Sequence, residues 1–141
     1  MVSRSLEKMM LIAVGLSTVV IVGVPVLMYA IDTINVTSEL QEFHLTGEQI
    51  HNATRNVDQG YANSTTITVW MSPRITVVTE GYQLVIQYVS ETAGTVSLTE
   101  TYSHDITIDY PFAPGGTTAL YSIEIALVDN VIHISFFEVL V

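Results

Sequence analysis

The sequence predicts an α+β protein: a long N-terminal helix, transmembrane at first and amphipathic beyond, followed by an all-β antiparallel sandwich of about seven strands. Three observations predict this. An apolar run without a single charge extends from Met9 to Ile31. Beyond it, apolar and small residues recur in alternating steps of four and three, the mark of one helix face. From Asn63 onward the pattern changes to period two, rich in Thr, Val, Ile and Tyr.

The first eight residues form a short leader carrying Arg4 and Lys8, two of the four bases in the chain. Residues 9–31 follow, 23 positions that as a helix reach about 34 Å at about 1.5 Å per residue, enough to cross a bilayer. A secretory signal has a shorter apolar core and small residues at a cleavage site, whereas Tyr29, Ile31 and Ile34 occupy that region here. The segment is therefore expected to stay in the mature protein. Pro25 lacks an amide hydrogen, and a kink is expected around Ile21 and Val22. Residues 9–141 hold two bases against thirteen acids, a net charge of −11, so the positive-inside bias puts residues 1–8 in the cytoplasm and the remainder outside.

Residues 32–62 form an amphipathic extension and linker. Val36, Leu40, Phe43, Gly47, Ile50, Thr54 and Val57 draw a narrow stripe that must pack against something, with Val36, Leu40, Phe43 and Ile50 as its large members. Thr46-Gly47 is the weak point of this helix, since glycine costs about 1 kcal/mol there. Residues 63–141 form the β-domain, with strands expected near 65–71, 74–79, 83–90, 95–102, 105–110, 119–128 and 131–140. A two-residue turn at Asp129-Asn130 sets Leu127 opposite Ile132, Ile125 opposite Ile134 and Ile123 opposite Phe136 on one buried face. Trp70 is expected in the core or at its rim.

The composition excludes several functions. Apolar residues make up 49% and charged residues 13%, an unusual balance for a protein made only for water. The net charge of −10 argues against nucleic acid as a partner. With no cysteine there is no disulfide framework or thiolate metal site. Among the four histidines, His44, His51, His104 and His133, no pair has the helical spacing that brings two imidazoles to one metal, so His44 and His51 read as solvated helix residues. Asp105 and Asp109 stand about 13 Å apart on a strand, too far for paired acid–base work. No D-x-D-x-D-G loop makes a calcium site of Asp105, Asp109 and Asp129. Pro114-Gly115-Gly116 lacks the lysine of a phosphate loop, and there is no G-x-S-x-G elbow. No catalytic residue and no cofactor is expected. Three N-x-S/T triplets, at Asn35, Asn52 and Asn63, fit glycan addition on the non-cytoplasmic side.

A basic leader, an apolar helix running into an amphipathic one and a β-rich domain resemble the plan of archaeal type IV pilin-like proteins. Arg4-Ser5 followed by Leu6 resembles the site where a prepilin peptidase cuts, just ahead of the apolar stretch. The resemblance implies processing there, and assembly of identical chains through their apolar helices into a surface filament. The alternative is a single-pass surface protein whose sandwich binds an envelope or cell-surface partner, or serves as an accessory part of a surface or motility machine.

Overall fold

In a computed structural model of the chain, residues 2–91 and 93–140 are described. They form two compact units, Met1–Ser38 and Glu39–Val141. One helix, α1 (Val2–Asp58), supplies all of the secondary structure of the first unit and the opening element of the second. It continues through Pro25 without a break. Neighbouring helices or lipid would tolerate the lost amide bond. It also continues through Thr46-Gly47.

The helix ends where its backbone is capped. Gly60 takes a left-handed φ of +79°, its amide bonds the Val57 carbonyl at 3.2 Å, and the Tyr61 amide bonds the Asn56 carbonyl at 3.0 Å. This glycine cap satisfies two of the carbonyls that a helix end leaves open.

Seven strands follow: β1 (Ser64–Met71), β2 (Ile75–Glu80), β3 (Gln83–Ser90), β4 (Gly94–Thr101), β5 (Asp105–Tyr110), β6 (Ala119–Val128) and β7 (Val131–Glu138). They make a four-stranded sheet in the order β1-β6-β7-β5 and a three-stranded sheet in the order β2-β3-β4. The β6–β7 hairpin has the expected register, with Leu127 facing Ile132, Ile125 facing Ile134 and Ile123 facing Phe136. Its turn needs positive φ at both central residues, and Asp129 (52°) and Asn130 (66°) supply it.

Two strand expectations are corrected. The last strand ends at Glu138, not Leu140. And β5 pairs with β7 in parallel, so the four-stranded sheet is mixed where an antiparallel one was expected. The loop of residues 111–118 carries the chain past β7 before β6 begins. Phe112 in that loop packs edge-on against Tyr121 with ring centroids 4.8 Å apart, and lies 6.0 Å from Phe136. This aromatic contact holds the loop over the end of the sheet.

The core of the second unit is shared by helix and strands. Phe43, Ile50, Ala53, Thr54 and Val57 of α1 are buried with Met71, Leu84, Ile86, Ile123, Ile125, Ile132 and Ile134. Both β1 and β4 are edge strands, and α1 reaches each of them. The Thr46 hydroxyl donates to the Trp70 carbonyl of β1 at 3.3 Å, and His51 Nε2 lies 3.3 Å from the Leu98 carbonyl of β4. The helix thus partners one carbonyl on each of two edge strands.

Gly47 is buried on that face, and a Cβ there would come 2.5 Å from Leu98 Cδ1. Gly47→Ala gains about 1 kcal/mol of helix propensity and must move a leucine methyl, which can rotate away. The expected result is a change in unfolding free energy within about 1 kcal/mol by chemical denaturation, while Gly47→Val, with a branched side chain, destabilises clearly.

Candidate functional site

The first candidate is the surface of α1 itself. Every residue from Ser3 to Asn35 is exposed. Successive helical positions turn by about 100°, so Val19, Val20, Ile21 and Val22, at 69%, 55%, 70% and 57% exposure, sample the whole circumference. A surface apolar on every side differs from the one-sided helix of a water-soluble domain. This helix is long and apolar enough to cross a membrane. Arg4, Ser5 and Leu6 lie in its first turns and are exposed.

The stripe predicted for residues 36–57 becomes more deeply buried along its length. Val36, in the first unit, is half-buried. Within the second unit Leu40 is half-buried against the core, Phe43 is 2% exposed, and Ile50, Thr54 and Val57 are fully buried. The Thr54 hydroxyl turns back to donate to the Ile50 carbonyl at 2.7 Å, which satisfies it in an apolar setting.

That burial separates the three glycan triplets. Asn35, Asn52 and Asn63 are all exposed. In the Asn52 triplet, however, Thr54 is inaccessible and the side-chain Oδ1 of Asn52 accepts from Arg55 at 3.0 Å. Asn63 precedes β1 and its triplet is open at Asn63 and Ser64.

The sequence reading misplaced His51, which is 5% exposed and not solvated. Its spacing from Ile50 and Val57 gave no warning, because an imidazole next to a stripe can turn either way. The Leu98 carbonyl can only accept, which assigns the proton of neutral His51 to Nε2 and leaves Nδ1, 2.6 Å from the Tyr102 hydroxyl, to accept from it. Glu100 lies 3.2 Å from the same Nδ1 and 3.0 Å from the Tyr102 oxygen, and Arg55 closes the group with an ion pair to Glu100. Burial drives the His51 pKa below its ordinary 6.5, against the Leu98 hydrogen bond and the Glu100 charge that pull it up, with Arg55 adding to the decrease. Burial, with Glu100 beside it, raises that of Tyr102 strongly. Among the described residues every buried side-chain nitrogen and oxygen has a partner, so this cluster is a closed polar brace.

A depressed histidine pKa has a definite consequence. The folded state binds the proton less well than the unfolded chain, so the contribution is fully present above about pH 6.5 and is lost as the pH falls below it. Urea midpoints measured from about pH 7.5 down to about pH 5 are expected to decline. His51→Gln flattens that decline, and an unchanged slope would rule His51 out as its source.

His104 and His133 pair with acids. His104 Nδ1 lies 2.8 Å from Asp58, whose carboxylate also accepts the Ser103 and His104 amides. Burial would raise the Asp58 pKa, but these donors outweigh it and hold the group below its usual 3.8. His133 Nδ1 lies 2.9 Å from Asp109. Among the described residues no three His, Asp or Glu side chains gather as a metal would need.

The second candidate is a groove of about 950 Å3 in the second unit, floored by Val69 and Ile75 and walled by α1 and by β1 with the turn after it. Trp70 stands in it 60% exposed, at the rim and not in the core. Polar residues of the helix (Glu42, Thr46, Gln49) and Arg74 line the same groove.

Comparison with known protein families, with curated proteins and with solved structures finds no match to this chain.

Proposed function

We propose that this protein is a structural subunit of an archaeal type IV pilus-like surface filament, assembled through its apolar N-terminal helix with the β-domain outward. The observation that carries this reading is the contrast along α1. Its apolar segment has no cover on any side, while the end of the same helix is built into the β-core. A helix apolar on every side is stable in lipid, and equally stable in a bundle of identical helices where its surface stays dry. In this reading residues 1–8 face the cytoplasm, cleavage follows Arg4-Ser5 to leave Leu6 first, and glycans occupy Asn63 and Asn35 in preference to Asn52.

The groove beside Trp70 favours a second reading, a single-pass surface protein whose β-domain binds a partner. Replacing Arg4 and Ser5 together by alanine separates the two. In a filament subunit the variant stays in the membrane and disappears from material sheared off the cell surface, as seen by electron microscopy and peptide identification. Unchanged surface material, or wild-type protein whose N-terminus is Met1 and that is never found in filaments, would overturn the filament reading.

A further inference from the structure

We propose that the groove in the second unit is a binding site for a neutral oligosaccharide, with Trp70 as its stacking platform. This is independent of whether the apolar helix anchors or polymerises the protein. Trp70 alternates with the buried Val69 and Met71 on β1, so its backbone is fixed by the core while 60% of the residue remains exposed. On the same outward face of β1, Thr66 and Thr68 are polar, and the indole is the one large apolar surface presented there. A pyranose ring has an apolar face of C–H groups that covers an indole, and a rim of hydroxyls that needs planar polar partners.

Polar side chains of that kind line the same groove. Glu42 and Gln49 project from exposed positions of α1 into the groove. On the same helix the Glu39 carboxylate is held by the Tyr88 hydroxyl at 2.7 Å, with Arg74 Nη1 4.0 Å away and Arg74 Nη2 3.2 Å from Glu91. Fixing an acceptor and a donor before binding lowers the cost of ordering them. With carboxylates outnumbering the single guanidinium in the lining, an acidic sugar is disfavoured and a neutral one is not.

A peptide strand is the natural competitor, since β1 is an edge strand. The Thr46 hydroxyl already occupies the Trp70 carbonyl, and α1 and β1 line the same groove. Strand addition at this point of β1 would have to break that bond.

The chain contains a single tryptophan, so its emission reports on this groove alone. The full chain, held in amine-oxide micelles that carry no sugar headgroup, is titrated with maltotriose, cellotriose, mannotriose and chitotriose. The expected result is a saturable shift of emission with at least one of them in the millimolar range. Gln49→Ala weakens that binding several-fold, and Trp70→Ala, followed by saturation-transfer NMR on the sugar, weakens it at least about tenfold. Melting curves by circular dichroism identify any variant that has not folded, and Gln49→Ala decides if Trp70→Ala fails. No saturable response to any of the four sugars, undiminished binding by a folded variant, or saturation by a Thr-Val strand peptide in place of the sugars would overturn the proposal.

Discussion

Replacing Phe43 and Ile50 together by alanine is expected to unfold the second unit or leave it marginal. Both side chains come from α1, and both lie in the interior, at 2% and 0% exposure, among the isoleucines of β6 and β7. Truncating a buried phenylalanine costs about 3–5 kcal/mol and a buried isoleucine about 2–5 kcal/mol, from lost burial and the cavity left behind. Set against a typical domain stability of about 5–15 kcal/mol, the pair removes most of what is available. Denaturation of the full chain followed by circular dichroism provides the measurement, with Glu48→Ala, at an exposed position of the same helix, as a control expected to change little. If the double variant keeps the wild-type midpoint, the helix is not part of this core.

The second large effect concerns the apolar end. Leu16→Asp with Val20→Asp places two carboxylates on one side of a helix that is otherwise uncharged from Met9 to Ile31. At about 2.5–3.5 kcal/mol for each charge near the middle of a span, insertion loses about 5–7 kcal/mol. Most of the protein is expected to leave the membrane on carbonate extraction, whereas Val20→Leu should remain. Filaments should be lost as well, because the same carboxylates would enter a dry bundle. Retention of the double variant in the pellet would show that lipid does not hold this segment. Because anchoring and polymerisation both predict its loss, the Arg4 and Ser5 substitution is needed to choose between them.

Local patterns determined much of this protein. The uncharged run specified an apolar helix and the 4,3 stripe specified which side of its extension would be covered, since helical geometry alone places Phe43, Ile50 and Val57 together. The β6–β7 register followed from a two-residue turn and period-two alternation, both of which act between neighbours in the chain.

What only the tertiary structure decided involves residues distant in sequence. An apolar strand reads the same beside a parallel or an antiparallel partner, so the pairing of β5 with β7 was hidden, with only the long 111–118 connection as a hint. Whether His51 faces water or Tyr102 depends on β4 arriving over the helix, and no spacing within α1 encodes that arrival. For Trp70 the sequence left core and rim both open, and the structure places it at the rim. Its exposure follows from the alternation that buries Val69 and Met71, and its groove exists only because residues 39–49 of the helix run beside β1. Periodicity acts through bonds along the chain and is legible in order, while a brace or a groove is made by chain segments that meet only after folding.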